Sequence, residues 1–199
     1  MVISVDNVCK TFGTHKVLTD VSFDIDDSSG EYVYLRGDSG SGKTTLLNII
    51  AGMSHPDIGS VYLDGKNISV IKNYRDKFIS YLPCGNCLIE SLTVKENILL
   101  VAGDQSTDFL FDTLDRLHVT NTQDSYPRKL SSGEYKRVCL ARSIVSNTPF
   151  LLLDEPTSNL DKDSADIIVS IISELKKTKG IILATHDDRL MRGREICIE

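Results

Sequence analysis

The 199-residue sequence lacks an apolar run near the roughly 20 residues that a membrane-spanning helix needs. Its N-terminus, MVISVDNVCK, also lacks the cationic segment followed by an apolar core that marks a secretory signal. We therefore expect a chain that does not cross a membrane and that works in the cytoplasm. The composition, 41% hydrophobic and 25% charged, is typical of a globular protein with one sizeable core.

A paired set of cysteines is missing as well. The five cysteines are odd in number and scattered along the chain, at Cys9, Cys84, Cys87, Cys139 and Cys197. This pattern excludes a disulfide framework and predicts reduced thiols. Cys84 and Cys87 form a CxxC pair, but zinc would need a second pair of ligands. Coincidence is the favoured interpretation of this pair, and a redox pair is the alternative.

The sequence has no excess of positive charge, no internal repeat and no low-complexity segment. Its net charge of −6 argues against a surface that coats nucleic acid. We therefore expect no nucleic-acid partner.

A glycine-rich turn between a strand and a helix is the strongest signal in the chain. Residues 31–35 are apolar apart from Glu31 and predict a buried strand, and the residues after Lys43 predict a helix. The spacing of Gly37, Gly42, Lys43 and Thr44 is that of a phosphate-binding loop. Its glycines let successive N–H groups converge on an anion at a helix N-terminus. The predicted phosphate-binding residues are Gly37, Ser39, Gly40, Ser41, Gly42, Lys43, Thr44 and Thr45, with Thr44 also a ligand of Mg²⁺.

The rest of the chain alternates between strand and helix patterns. Half-buried antiparallel strands are predicted at 2–8 and 17–25, and a polar turn is predicted at 26–30. Further strands are predicted at 60–66, 78–83, 150–156, 180–187 and 195–199. Helices are predicted at 93–117, 131–146 and 162–178. The second opens with Ser131 and Glu134 at the spacing of a capping box, and the third has lysines in its final turn and Gly180 as its stop. This alternation predicts an α/β fold with a parallel sheet covered on both faces.

Two carboxylates follow the apolar strand at 150–153. Ligands of open parallel sheets bind at the carboxyl ends of the strands. We therefore predict that Asp154 belongs to the Mg²⁺ shell opposite Thr44. Glu155 is predicted to act as the general base for an attacking water.

Four segments, GDSGSGKTT, LSSGE, LLLDEPTSNLD and ATHD, occur in an order that resembles the ATP-binding cassette (ABC) ATPases over essentially the whole chain. The resemblance implies a P-loop NTPase with a RecA-like core, an N-terminal antiparallel β subdomain and an inserted α-helical subdomain. It predicts one ABC domain over residues 1–199, with core and β subdomain at 1–83 and 141–199. The helical subdomain, with the signature motif, is predicted at 84–140.

The resemblance also implies a head-to-tail homodimer that holds two ATP molecules, each between the phosphate loop of one subunit and the signature of the other. The signature is Leu130 to Glu134, whose Ser131, Ser132, Gly133 and Glu134 would contact the γ-phosphate. Ser132 replaces the usual first glycine. Asp161 matches the loop that crosses the dimer interface, and His186 matches the switch histidine. Phe12 is expected to stack on adenine, with Val17 beside it.

The chain departs from the family at Cys84, where the pattern Tyr-Leu-Pro is normally followed by a glutamine that meets Mg²⁺ or the attacking water. A neutral thiol is a poor ligand for Mg²⁺. We therefore expect slow hydrolysis or altered coupling, with Asn86 as a surrogate for the missing amide.

The sequence around Asn86, together with Glu134 and the NLD of the interface loop, is similar to cassettes that pair with macrolide-efflux or lipoprotein-releasing permeases. The chain ends soon after ATHD, which predicts a minimal cassette without a regulatory domain. We expect an ATPase subunit on the inner face of the membrane that powers a separate integral membrane permease. The alternatives are a soluble non-transport ABC ATPase and a hydrolysis-impaired regulatory module. A nucleotide kinase is disfavoured because LSSGE and His186 would have no role.

Overall fold

Two β-sheets form the frame of the protein, and its computed structural model describes residues 1–28, 30 and 32–198. The first is a parallel sheet with the spatial order β6 (Ile79–Leu82), β7 (Phe150–Asp154), β8 (Gly180–Ala184), β3 (Tyr32–Arg36) and β9 (Arg194–Cys197). The second is antiparallel, with the order β2 (His15–Asp26), β1 (Val2–Phe12), β4 (Ile58–Leu63) and β5 (Lys66–Asn67). The parallel sheet and the N-terminal antiparallel pair were both predicted. Ser29, Glu31 and Glu199, which belonged to predicted elements, lie outside the described residues.

Six helices are found in the described residues. They are α1 (Lys43–Ile50), α2 (Tyr74–Phe78), α3 (Val94–Ala102), α4 (Thr107–Arg116), α5 (Ser132–Val145) and α6 (Lys162–Leu175). Single 3₁₀ turns occur at Ile68–Val70, Thr120–Thr122 and Pro127–Lys129. α5 contacts α3, α4 and α6, and it also reaches β6 at the edge of the parallel sheet.

The parallel sheet separates two hydrophobic cores. Along β7, Leu151 and Leu153 point into a core that includes residues of α3 to α6, while Phe150 and Leu152 point into a core shared with α1 and the antiparallel sheet. All four side chains are at most 1% exposed. A strand that is apolar on both faces is what a covered parallel sheet requires. Burying each such side chain contributes about 1.5–3 kcal/mol.

Two predicted stretches are divided differently in the structure. The helical stretch at 93–117 is two helices, because Gly103 at φ 54° ends α3 and Ser106 caps α4. Phe78 closes the short helix α2 instead of opening a strand.

Gly180 does not stop a helix. α6 ends at Leu175, before the lysines, and Gly180 is the first residue of β8. A β-carbon on Gly180 would lie 2.5 Å from Cδ1 of Phe150, so packing between neighbouring strands requires glycine there.

Candidate nucleotide-binding site

The phosphate loop joins β3 to α1 and ends at the N-terminus of that helix. Gly40 and Gly42 have φ of 86° and 103°, which favour glycine because a β-carbon strains this backbone region. A β-carbon on Gly37 would lie 2.4 Å from the carbonyl oxygen of Ile198 and from Oγ of Ser41. Glycines in the loop are therefore required by its turn conformation and by its close contact with Ile198, the residue after β9.

Two polar groups inside this loop are set up for an anion. The Lys43 side chain is 7% exposed, and its Nζ donates to the carbonyl oxygens of Gly37 at 2.6 Å and Asp38 at 2.9 Å. Oγ of Ser41 is buried and has no hydrogen-bond partner. A buried polar atom without a partner is costly, and a phosphate oxygen would satisfy it.

Val17 lies against the loop from the antiparallel sheet. A β-carbon on Gly42 would sit 2.6 Å from Cγ1 of Val17, so the two residues are in close contact. Phe12, at the end of β1, is 55% exposed. The Nζ atom of Lys10 lies 5.5 Å from the centroid of its ring. Val17 and an exposed aromatic face therefore belong to the same sheet beside the loop.

Thr44 and Asp154 meet across the carboxyl end of the parallel sheet. The Thr44 hydroxyl donates to Oδ2 of Asp154 at 2.8 Å, although 110 residues separate them in the chain. Asp154 is 2% exposed at the end of β7. Two hard oxygen ligands at this distance fit Mg²⁺, which uses few protein ligands and keeps positions for phosphate oxygens and water.

Glu155 follows immediately and turns towards His186. Its φ of 50° is in the left-handed region, and its N–H donates to the carbonyl oxygen of Ala184 at the end of β8. Oε1 of Glu155 lies 3.5 Å from Nε2 of His186. Burial raises the pKa of Glu155, and the neighbouring His186 and Lys43 partly oppose this rise. A carboxyl whose pKa is raised towards neutrality is a better proton acceptor.

The signature segment forms the capped N-terminus of α5. The Ser131 side chain accepts from the N–H of Glu134 at 3.3 Å, and the Glu134 side chain accepts from the N–H of Ser131 at 2.9 Å. This capping box was predicted. These bonds lower the pKa of Glu134. Ser132 opens the helix with an exposed side chain, so its β-carbon leaves the cap regular.

At Gly133 the signature packs closely against α6. A β-carbon there would lie 2.4 Å from Oγ of Ser164, and that hydroxyl also accepts from Nη1 of Arg137 at 2.5 Å. Asp161 caps α6 by accepting from the N–H of Ser164 at 2.9 Å. The N-termini of α5 and α6 are therefore held side by side, a contact that sequence reasoning missed.

The signature stands apart from the phosphate loop of its own chain. Within the described part of the molecule, no hydrogen bond or salt bridge joins residues 131–134 to residues 37–45. The structure brings the loop together with Asp154, Glu155 and His186, and leaves the signature on a separate surface.

The segment after β6 is bonded to α5. The Tyr135 hydroxyl accepts from the N–H groups of Cys87 and Leu88, both at 3.1 Å. Lys136 donates to the carbonyl oxygen of Cys84 at 3.4 Å, and Arg142 donates to that of Cys87 at 2.8 Å. The thiol of Cys84 and the side chain of Asn86 are exposed. This connection was not predicted, although the helical spacing of 135, 139 and 142 was visible in the sequence.

A glycine-rich loop leading into a helix, a lysine and a threonine at its end, and an aspartate on the neighbouring buried strand define a P-loop nucleoside triphosphatase. Comparison with known proteins gives the family. The profile of the ABC transporter family matches residues 18–158. The chain belongs to this family, as its motifs indicated.

Relatives with transport functions match almost the full chain. A putative hemin import ATP-binding protein, HrtA of Staphylococcus haemolyticus, is 34% identical over 100% of this chain and 96% of its own length. A lipoprotein-releasing system ATP-binding protein, LolD of Syntrophotalea carbinolica, is 33% identical over 96% of this chain and 91% of its own. The dimeric structure of MJ0796, a bacterial ABC transporter cassette, superposes with a TM-score of 0.88 at 30% identity, covering 98% of this chain and 94% of that one.

These findings establish an ATP-binding subunit of an ABC transporter with the ATPase chemistry of that family. They also confirm the predicted P-loop fold. Two solved structures of the related cassette MJ0796 are dimeric, and one relative is named as the ATP-binding protein of a lipoprotein-releasing system. None of the helices in the described residues is long and apolar enough to span a bilayer.

Proposed function

We propose that two copies of this chain close head to tail on two Mg²⁺–ATP complexes and that hydrolysis reopens them to drive a membrane permease. One observation carries the proposal. Thr44 and Asp154 are joined at 2.8 Å beside the phosphate loop, with Glu155 and His186 next to them. The oxygens that hold the metal and the groups that would act on water are thus side by side.

In this proposal Lys43 leaves the loop carbonyls and binds the β- and γ-phosphates of ATP. The N–H groups of residues 40–45 and the Ser41 and Thr45 hydroxyls bind phosphate oxygens at the N-terminus of α1. Phe12 stacks on the adenine ring, with Val17 beside it. ATP is therefore held between the antiparallel sheet and the parallel sheet.

Thr44 and Asp154 are the proposed protein ligands of Mg²⁺. The ion would neutralise charge on the β- and γ-phosphates. Glu155 then accepts a proton from the attacking water, and His186 contacts the γ-phosphate while it orients the Glu155 carboxylate. Cys84 occupies the position of the absent glutamine, and Asn86 is the proposed substitute for its amide.

The second half of each site comes from the partner subunit in this proposal. The capped N-terminus of α5, with Ser131, Ser132 and Gly133, would face the γ-phosphate bound to the other chain, and Glu134 would keep the cap in place. Asp161 would lie at the interface through the N-terminus of α6. Support comes from the side-by-side packing of these two helix ends and from the dimeric structures of related cassettes.

The permease is proposed to dock between α3 and the parallel sheet, on the inner face of the membrane. A groove of about 380 Å³ there is lined by residues that include Tyr81, Leu100 and Arg142. Leu100 is 58% exposed, so an apolar side chain is presented to solvent at the edge of the groove. The proposed helical subdomain, residues 84–140, would supply one side of this groove through Leu100, Val101 and Gly103. The hydrogen bonds between the segment after β6 and α5 would transmit nucleotide-dependent movement.

The catalytic assignment is tested with Glu155→Gln. Removal of the general base is expected to lower multiple-turnover phosphate release about 10² to 10⁴-fold. ATP binding persists, and light scattering shows an ATP-dependent dimer. Glu174→Gln, an exposed glutamate on α6, is the matched control and keeps the parent rate. Equal turnover for Glu155→Gln and the parent would reject Glu155 as the base.

The alternative function is a regulatory ATP-binding module with impaired hydrolysis. Its support is the replacement of two family residues by Cys84 and Ser132. It predicts tight ATP binding without repeated phosphate release by the unmodified chain. Repeated phosphate release with Mg²⁺–ATP decides against it.

A further inference from the structure

The thiol neighbour of Cys87 in the structure is Cys139. Three hydrogen bonds to α5 lie on either side of this contact. The N–H groups of Cys87 and Leu88 donate to the Tyr135 hydroxyl, and Arg142 donates to the carbonyl oxygen of Cys87. Positions 135, 139 and 142 recur at helical spacing and lie on one face of α5. Because the flanking residues 135 and 142 both bond the Cys87 backbone, Cys139 between them faces the Cys87 side chain.

The two thiols also share an environment. Cys87 is partly buried and packs against the hydrophobic core that contains Cys139, which is 1% exposed. The two side chains are hydrogen-bonded to each other. Cys84, in contrast, has an exposed thiol, and its carbonyl oxygen is bonded to Lys136. The structure therefore places Cys139, and not the CxxC neighbour Cys84, beside the side chain of Cys87.

We propose that Cys87 and Cys139 are a reversible dithiol site that is oxidised to a disulfide by hydrogen peroxide. Cys87 is the attacking residue and Cys139 the resolving residue. The proposal concerns the two thiols alone and does not depend on the function proposed above.

The reaction balances in two steps. The Cys87 thiolate attacks one peroxide oxygen, the O–O bond breaks, and sulfenic acid and hydroxide are formed. The Cys139 sulfur then attacks the Cys87 sulfur, its proton leaves with the hydroxyl group as water, and the S–S bond forms. Two sulfurs are oxidised and the two peroxide oxygens are reduced. Two molecules of a thiol such as glutathione reduce the disulfide back to two thiols and are themselves oxidised to glutathione disulfide.

The chemical asymmetry of the pair agrees with these roles. The hydrogen bond from Cys139 lowers the pKa of Cys87, and the cations of Arg142 and Lys136 lower it further. The same hydrogen bond, with burial, raises the pKa of Cys139. Cys87 is only partly buried whereas Cys139 is 1% exposed, so peroxide reaches the Cys87 sulfur first, and its thiolate is the attacking nucleophile. The disulfide would fix the segment after β6 to α5, the helix that begins with the signature.

The test is peroxide treatment of the reduced full chain, blocking with N-ethylmaleimide and peptide mapping without reductant. We expect loss of two thiols per chain, one peptide pair linked through Cys87 and Cys139, and full recovery with dithiothreitol. Cys84→Ser retains this link. Cys139→Ala loses it and leaves Cys87 reactive with dimedone, a probe for sulfenic acid.

A Cys84–Cys87 link overturns the proposal. So does a Cys87 that stays reduced while the exposed Cys84 is oxidised. Both outcomes are read from the unmodified protein, so they remain decisive even if Cys139→Ala fails to fold.

Discussion

Glu155 combines backbone strain with partial burial at a single residue. A left-handed φ of 50° at a residue other than glycine costs of order 1–3 kcal/mol, and such strain clusters at active sites. The turn lets the main chain leave β7 while the carboxylate stays beside His186. The sequence predicted Glu155 from its place after an apolar strand, but nothing in it showed the left-handed turn.

Cys84 gives the residue-scale prediction. Replacing Cys84 with glutamine supplies the amide that the family pattern has at this position, and we expect turnover to rise at least about tenfold, the effect of one transition-state interaction of about 1.4 kcal/mol. Steady-state phosphate release measures it. The bond from Lys136 to the backbone of Cys84 is unaffected by the substitution.

Cys84→Ser is its control, because it removes the thiol without adding an amide and should leave the rate unchanged. If Cys84→Gln matches the parent in both ATPase rate and coupling to the permease, the idea that Cys84 limits this cassette is wrong.

At the scale of elements, two helices begin with the same device. α5 has the Ser131–Glu134 capping box, and α3 has the Thr93–Glu96 capping box. Each supplies partners to N–H groups that the first helical turn leaves unpaired. Only α5 carries a segment that resembles the family signature.

This duplication separates stability from function. Ser131→Ala and Thr93→Ala should each lower the free energy of unfolding by about 1 kcal/mol in urea titrations. Only Ser131→Ala should also weaken ATP-dependent dimerisation in the Glu155→Gln background, because only Ser131 would meet a neighbour's phosphate. Equal dimerisation by the two variants would contradict the proposed signature role.

Most elements followed from local pattern, and most errors came from contacts between distant segments. The alternation in β1 and β2, the apolar run of β7 and the cap of α5 are local, and all were predicted. Gly180 and Gly133 were explained by a helix stop and a phosphate contact. The structure adds that Phe150 and Ser164, residues remote in sequence, leave no room for their β-carbons. The hydrogen bonds between Cys87 and α5 were not predicted either, because they also connect residues that are remote in sequence.

For the whole molecule, the groove beside α3 is the proposed contact with the permease. Leu100→Glu puts a charge where an apolar membrane-protein segment would dock, so we expect it to abolish binding to native membrane vesicles in sedimentation while ATPase activity persists. Leu99→Glu is the matched control, since Leu99 is 51% exposed on the same helix but does not line the groove. Vesicle binding by Leu100→Glu equal to the parent's would place the permease elsewhere.

The assembly of two half-sites is tested most directly by a crystal structure of Glu155→Gln grown with Mg²⁺ and ATP. Our proposal predicts a two-fold dimer in which Ser131 and Gly133 of one chain lie within hydrogen-bonding distance of the γ-phosphate held by Lys43 of the other. A nucleotide-loaded structure whose signature segment stays away from the neighbouring triphosphate would contradict it.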